Sequence, residues 1–290
     1  MTLENRQPSE AGVQGEVRQD RFIGGNDLTR WRTRLGRFLA FVVGHVSRVL
    51  GPHAALILTL AIGAALAVSL TAVFAQVYEA VVDADGVAGL DHPVLAAAKT
   101  VRSPALDIIA TGYTDVGGTV GMPILALAVM TVLALRRRSW TPVILIVIAA
   151  AGSLLMTIAG KSLIGRTRPQ LTDAVPPYEY SASFPSGHSL NSVVIAGVVA
   201  YLIILRLQSA RARVVTALLA GLFAATIGLS RVYLGHHWLT DVLAAWALGA
   251  AWLALVITAH RLYLTTRTHR VEAPTRHSPE GKRETDVIDV

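Results

Sequence analysis

Six uncharged, mainly apolar stretches, each 17 to 22 residues long, constrain this chain more than any other feature. A bilayer core about 30 Å thick is crossed by about 20 helical residues, and lipid leaves only helices or closed barrels as spanning structures. Because the stretches are continuously apolar and do not alternate, a barrel is excluded. We therefore predict an all-α polytopic membrane protein with six transmembrane helices in a bundle, at residues 54–75, 116–135, 139–160, 189–205, 214–230 and 242–259.

The composition excludes several other classes of protein. Charged residues make up 16% of the chain, against about 25% in a typical soluble domain. The net charge of +7 is explained by arginine-rich cytoplasmic loops, so we expect membrane lipids and no nucleic acid as partners. The chain has no cysteine, which excludes disulfides, a thiolate metal site and a cysteine nucleophile.

The arginines predict the orientation of the bundle. They cluster before the first stretch, between the second and third, between the fourth and fifth, and after the sixth. If all six stretches span, these clusters lie on one face, which the positive-inside rule makes cytoplasmic. We expect a membrane domain at 37–265 between disordered cytosolic tails at 1–36 and 266–290. Three segments are left for the opposite, extracytoplasmic face: 76–115, 161–188 and 231–241.

The first of these segments, 76–115, is too polar to span the membrane. Its part from Pro93 to Ile109 has scattered apolar residues and predicts short interfacial helices. Part of a substrate entrance is one interpretation, but a solvated connector is the simpler one.

The other two segments carry ionisable residues that are costly at membrane depth and therefore indicate function. Lys161, Arg168 and Arg231 place three cations at the mouths of three helices, where they repel one another unless an anion lies between them. A phosphate suits this cluster, because arginine matches its oxygens bidentately. Ser186 and Gly187 stand where the fourth stretch begins, and a helix N-terminus presents free N–H groups to a phosphate.

Two histidines supply reactivity. His237 and Asp241 are four residues apart, which puts them on one face of a helix, and a carboxylate that holds one imidazole nitrogen makes the other a better nucleophile. His236 is five residues from Asp241 and points away, so we expect it to be structural or to face solvent. His188 stands alone in the other segment and suits a general acid.

These residues fall into three spaced groups that resemble, position for position, the three signature motifs of the type 2 phosphatidic acid phosphatase superfamily. The groups are Lys161-x6-Arg168-Pro169, Pro185-Ser186-Gly187-His188 and Ser230-Arg231-x5-His237-x3-Asp241. Each group alone is a weak signal, but eleven fixed residues in the correct order are a strong one.

The resemblance implies a role for each residue and a reaction without a metal or other cofactor. His237 attacks phosphorus and becomes phosphohistidine, Asp241 is its partner, and His188 protonates the leaving group. The residues that the resemblance assigns to phosphate binding are Lys161, Arg168, Ser186, Gly187 and Arg231.

The sequence therefore predicts an integral membrane phosphatase whose partner is a lipid-linked phosphate substrate and whose site faces outside the cytoplasm. Phosphatidic acid, phosphatidylglycerol phosphate and polyprenyl pyrophosphate all remain candidates, and the oligomeric state stays open. Three alternatives are a lipid phosphotransferase that uses the same residues, a catalytically silent lipid-phosphate binding or transport protein, and a vanadium haloperoxidase. Haloperoxidases share the pocket but are soluble, which the mean hydropathy of +0.51 does not favour.

Overall fold

The computed structural model describes residues 19–23, 25–31, 33–50, 68 and 87–271. These residues form one short hairpin, eight α-helices, and 3-10 turns at Val87–Leu90 and Leu171–Asp173. The elements are β1 (Phe22–Ile23), β2 (Asn26–Asp27), α1 (Arg34–Leu50), α2 (Asp91–Thr100), α3 (Pro104–Val116), α4 (Gly121–Arg137), α5 (Thr141–Ile164), α6 (Gly187–Ile204), α7 (Ala210–Tyr233) and α8 (Leu239–Val271).

Four of these helices are long and apolar enough to cross a membrane: α5, α6, α7 and the part of α8 at Leu239–Thr266. A fifth candidate is the pair α3 and α4, which passes the same test when the two are taken together and bends by 48° between them. The prediction of an all-α membrane protein is confirmed, and the last five predicted stretches correspond to these elements. The first stretch, 54–75, lies outside the described residues except for Val68. A span at this stretch, and with it the total of six spans, therefore stays a prediction.

Local sequence signals set the helix ends that matter for the bundle. Ser103 caps α3 by accepting a hydrogen bond from the Leu106 N–H, and Pro104 occupies the first helical position, where its missing N–H costs nothing. Gly165 follows α5 with φ +60°, a left-handed conformation that glycine adopts without strain and that ends the helix.

The bundle is held by close packing around α6, which contacts α5, α7 and α8. A Cβ added at Gly152 of α5 would lie 2.1 Å from the indole of Trp252 in α8, so only glycine fits there. Gly197 and Gly249 meet neighbouring side chains in the same way. Small residues at such crossings let membrane helices approach and gain van der Waals contact, which replaces the hydrophobic driving force that lipid does not supply.

The arginine-bearing links lie together at one end of the bundle. Arg206 and Arg137 come within 3.0 and 3.9 Å of the buried carboxylate of Asp20, and Arg261 donates to the carbonyl oxygen of Leu28. In the predicted tail, residues 19–23, 25–31 and 33–36 therefore include the hairpin and the start of α1, and some of them contact the helices. Residues 1–18 and 272–290 of the predicted tails lie outside the described residues.

Short helices predicted between Pro93 and Ile109 are present as α2 and α3, and the link between them is hydrogen-bonded to the rest of the bundle. Arg102, between the two helices, donates from Nε to the carbonyl oxygen of Tyr233 at 2.8 Å and from Nη1 to that of Asp173 at 2.7 Å. The α2–α3 segment is thus fastened to the loops at the other end of the bundle.

Candidate active site

The candidate site lies where four helix ends meet: the ends of α5 and α7 and the starts of α6 and α8. Backbone hydrogen bonds fasten the two connecting loops to each other. The Ser186 N–H donates to the Asp241 carbonyl oxygen at 3.3 Å, and the Val175 N–H donates to that of Leu234 at 2.9 Å. Motifs that are separated by two helices in sequence are therefore neighbours in space.

The three predicted cations converge on the loop after α5. Lys161 donates from Nζ to the Ser181 hydroxyl at 3.1 Å and to the carbonyl oxygen of Ala182. Arg168 donates from Nε to the Ser181 carbonyl oxygen at 2.7 Å. Arg231 is only 2% exposed, so its guanidinium is held almost entirely inside the protein.

Glu179 lies between two of these cations. Its Oε2 is 2.8 Å from Nη2 of Arg168, and its Oε1 pairs with Nη2 of Arg231. Burial raises the pKa of the carboxyl group, but the charges of Arg231 and Arg168 outweigh burial and lower the pKa to about 2. We expected an anion between these cations, and the carboxylate of Glu179 occupies that position between Arg168 and Arg231.

His237 presents one nitrogen to the cations and the other to a carboxylate. Its Nε2 is 3.2 Å from Nη1 of Arg168, while its Nδ1 is 3.4 Å from both Oδ2 of Asp241 and the Ser183 hydroxyl. Arginine only donates, so the network assigns the proton to Nδ1 and a lone pair to Nε2. Burial is the largest effect on this imidazole and lowers its pKa to about 4, so His237 is neutral at pH 7.

The pairing of His237 with Asp241 arises in a different way from the one predicted. Because α8 begins at Leu239, the two residues do not share a helix face. Asp241 instead lies in the first turn of α8 and accepts from the Trp238 N–H at 3.0 Å, as a capping carboxylate does. The turn before α8 places the imidazole of His237 next to the same carboxylate, with Nδ1 3.4 Å from Oδ2 of Asp241.

Arg166, which lies between Lys161 and Arg168 in the sequence, binds two carboxylates. Its Nη1 lies 2.6 Å from Oδ1 of Asp241, and its Nη2 lies 2.7 Å from Oδ2 of Asp91 in α2. The Ser183 hydroxyl donates to Oδ2 of Asp241 at 2.5 Å. The carboxylate next to the predicted nucleophile is therefore held from several directions.

His188 lines a cavity of about 850 Å³ beside this network. Lys161, Gly187, Arg231 and Glu179 line the same cavity, as does the bend between α3 and α4. A Cβ added at Gly118 in that bend would lie 3.2 Å from Nε2 of His188, so the glycine leaves room for the imidazole.

The remaining predicted residues have identifiable contacts. Ser186 caps α6, since its hydroxyl oxygen accepts from the N–H and the hydroxyl of Ser189 at 3.4 and 2.8 Å. A Cβ on Gly187 would lie 3.2 Å from Cγ2 of Thr157, so this glycine also serves the packing of α6 on α5. His236 is buried and bonds through Nε2 to the Val175 carbonyl oxygen at 2.7 Å, which agrees with a structural role.

The sequence did not predict a site role for three residues that contact the site: the carboxylates of Asp91 and Glu179 and the hydroxyl of Ser183. Asp91 and Glu179 belong to the segments 76–115 and 161–188, whose acidic residues carry no motif, and Ser183 stands one residue before Phe184-Pro185 without distinguishing spacing. The only signal was an excess of positive charge among the predicted site residues, which calls for acidic partners.

Comparisons with known proteins identify one family and two relatives. The sequence model of the PAP2 superfamily matches residues 140–263. Phosphatidylglycerophosphatase B of Bacillus subtilis (strain 168) is 31% identical over 184 residues, which cover 63% of this chain and 89% of the relative. The crystal structure of a transmembrane PAP2 type phosphatidylglycerolphosphate phosphatase from Bacillus subtilis aligns with a TM-score of 0.58 and 28% identity, over 73% of this chain and 98% of the other.

Proposed function

The chain belongs to the PAP2 superfamily, and on that premise we propose that it is an integral membrane lipid phosphatase. It hydrolyses a lipid-linked phosphomonoester or pyrophosphate through a phosphohistidine intermediate. Phosphatidylglycerol phosphate is the first candidate substrate, because both relatives are named for that activity. Phosphatidic acid and a polyprenyl pyrophosphate are the others.

One observation carries the proposal: a neutral His237 directs Nε2 at the guanidinium of Arg168, and its Nδ1 faces Asp241. A phosphorus atom bound by the cations meets a lone pair there. Nε2 attacks phosphorus, the bond to the leaving lipid oxygen breaks, and His188 donates a proton to that oxygen. Asp241 stabilises the positive charge that develops on the imidazole as Nε2 bonds to phosphorus.

The second half of the reaction restores the enzyme. A water molecule gives a proton to the now basic His188 and attacks phosphorus, the bond from Nε2 to phosphorus breaks, and inorganic phosphate leaves. Lys161, Arg168 and Arg231 stabilise the charge on the equatorial oxygens in both steps, and the N-terminus of α6 at Gly187 adds its N–H groups. These side chains thus stabilise the negative charge of the transferred phosphoryl group, and we propose that no metal ion takes part.

The position of the site favours a lipid substrate. The cavity lies at the ends of candidate spanning helices and is lined by the bend of α3 and α4, a position at which we expect lipid headgroups. The site lies at the end of the bundle opposite Arg137, Arg206 and Arg261, so the positive-inside rule makes it extracytoplasmic.

The test is phosphate release by purified detergent-solubilised protein from each of the three candidate lipids, with EDTA present throughout. His237→Ala is measured beside the wild type, and His236→Ala is the matched control because it changes the neighbouring imidazole. We expect release that survives EDTA, is abolished in His237→Ala, and persists in His236→Ala. Protein treated with labelled substrate and denatured at alkaline pH, where the P–N bond of phosphohistidine is stable, should carry label in the wild type and in His236→Ala but not in His237→Ala.

Equal release by His237→Ala would contradict the phosphohistidine mechanism. Loss of release with EDTA, restored by a divalent cation, would contradict the metal-free step alone. Addition of a soluble alcohol separates hydrolysis from transfer, since a transferase would yield a phosphorylated alcohol in place of inorganic phosphate.

A further inference from the structure

We propose that Asp91 is a positioning residue for the catalytic pair, because it tethers Arg166 and so keeps this arginine away from the oxygen of Asp241 that faces His237. This inference rests on the proposed function and adds a residue outside the three motifs. It also gives a role to α2, whose first residue is Asp91.

Asp91 is 2% exposed, and three hydrogen bonds reach its carboxylate. Arg166 donates from Nη2 to Oδ2 at 2.7 Å. Thr240 donates from its backbone N–H to Oδ1 at 2.9 Å and from its hydroxyl to Oδ2 at 2.7 Å. Both donors are neighbours of Asp241: Thr240 precedes it in the chain, and Arg166 bonds to it directly. The carboxylate of Asp91 therefore acts on the catalytic carboxylate by two separate routes.

The first route depends on the shape of arginine. A guanidinium binds a single carboxylate most favourably through two parallel hydrogen bonds, one to each oxygen. Arg166 does not bind Asp241 in this way, because its two terminal nitrogens are divided between Asp241 and Asp91. Asp241 consequently receives Arg166 on Oδ1 alone.

Oδ2 of Asp241 is left for the other partners. It accepts from the Ser183 hydroxyl and the Trp238 N–H and lies 3.4 Å from Nδ1 of His237. Without Asp91, the second nitrogen of Arg166 is free to turn to Oδ2 and compete with the imidazole for it. The tautomer and orientation of His237 would then be less well fixed, and attack by Nε2 would slow.

The second route fixes the start of α8. The Thr240 N–H is one of the unpaired donors of a helix N-terminus, and Asp91 from another helix accepts from it. The Thr240 hydroxyl, which accepts from Nη1 of Arg166 at 2.7 Å, joins the two routes. Asp91 thus holds the backbone of the residue next to Asp241 as well as the arginine that binds it.

The test is a double-mutant cycle between Asp91→Asn and Asp241→Asn, read as kcat and KM for lipid phosphate hydrolysis. We expect Asp91→Asn to lower kcat by about tenfold and to leave KM and inhibition by vanadate within about twofold, because the phosphate cations are untouched. In the Asp241→Asn background, Asp91→Asn should have little further effect, since residues that act through one another are not additive.

Asp107→Asn is the matched control, because Asp107 in α3 accepts a hydrogen bond from the Tyr233 hydroxyl and has no contact with Arg166. Its kcat should equal that of the wild type. Thr240→Val is the second variant if Asp91→Asn does not fold. It removes the hydroxyl that joins the two routes at nearly constant volume, and it should lower kcat by about threefold with KM unchanged.

Two results would overturn the inference. One is a kcat for Asp91→Asn equal to that of the wild type. The other is a loss of the same size in both backgrounds, which is the signature of a general effect on folding. His237→Ala in the same series keeps the proposals apart, since activity retained there contradicts the mechanism itself, whatever Asp91 does.

Discussion

Glu179 holds Arg168 and Arg231 together by giving one carboxylate oxygen to each. Those guanidinium groups are the ones proposed to bind the substrate phosphate, so Glu179 and the phosphate compete for them. Substrate binding must therefore displace a carboxylate whose pKa of about 2 keeps it charged at every working pH. The cations are kept in place by Glu179, and the binding of phosphate is weakened by it.

We predict that Glu179→Gln binds phosphate analogues more tightly. Removing the negative charge removes the competitor, so vanadate should inhibit the variant at a concentration about tenfold lower, which corresponds to about 1.4 kcal/mol. The measurement is the vanadate inhibition constant of each protein. Asp173→Asn is the control, because Asp173 pairs with Lys99 in the same loop region and should leave the constant unchanged. Weaker inhibition of Glu179→Gln would show that the carboxylate supports the site.

We also predict a pH effect of Arg168. Protonated His237 has no lone pair on Nε2, so kcat/KM falls as pH drops through the pKa of this imidazole, near 4. Burial lowers that pKa most, and the positive charge of Arg168 lowers it further. In Arg168→Gln the pKa should rise, and the acid limb of kcat/KM should move to higher pH. Ionisation of the substrate is common to both proteins, so the difference between the profiles reports the enzyme.

At the scale of elements, the site depends on sharp reversals that place four helix ends side by side. Gly235 lies in the turn between α7 and α8 with φ +70°. A Cβ at this position would lie 2.3 Å from the carbonyl oxygen of Asp173, in the loop that carries Glu179. The glycine therefore satisfies two requirements, a left-handed backbone and a close approach of two loops.

Gly235→Ala should accordingly lower both stability and activity. The left-handed conformation alone costs about 1–2 kcal/mol for a residue with a Cβ, and the contact with Asp173 adds to it. We expect a lower Tm in detergent and reduced phosphate release. Gly221→Ala in α7 is the control, because nothing lies within 4 Å of the added Cβ, and it should keep the wild-type Tm. Equal values of Tm for the two variants would contradict the structural role of the turn.

At the scale of the whole molecule, the fold places two clusters of cationic side chains at opposite ends of the bundle. Lys161 and Arg231 line the cavity and Arg168 pairs with Glu179 in its wall, while Arg137 and Arg206 lie beside Asp20 at the opposite end. The faces between these ends expose apolar side chains such as those of Leu218 and Leu222, as a lipid-facing surface requires. The direction of insertion then decides whether the substrate is drawn from the outer or the inner leaflet.

Labelling of single cysteines can determine that direction, because the chain has no native cysteine. Tyr180, 82% exposed in the loop of Glu179, marks the end with the site, and the exposed Arg211 marks the other end. A membrane-impermeant thiol reagent applied to intact cells should label Tyr180→Cys, and it should label Arg211→Cys only after permeabilisation. The reverse pattern would place the site on the cytoplasmic face.

The amino-acid sequence alone was sufficient to predict an all-α membrane protein, and it supplied the candidate residues for the proposed chemistry. Runs of uncharged residues long enough to cross a bilayer have few alternatives, since backbone groups in lipid must pair within their own helix. The three motifs predicted Lys161, Arg168, His188, Arg231 and His237 as neighbours, because two spans between motifs return the chain to the same side. The prediction that the motifs lie on the same side of the membrane depends only on the number of spans between them.

The contacts of the residues that lie outside the motifs could be identified only from the tertiary structure. Asp91 and Glu179 belong to segments without periodicity or motif, and their contacts with Arg166, Arg168 and Arg231 depend on how loops fold back over the helix ends. Whether a charged group is paired or solvated is a matter of distances of a few ångströms across the chain, and spacing along one segment does not encode them. Arg166, for example, binds Asp241 and also Asp91, which is 75 residues away in the sequence.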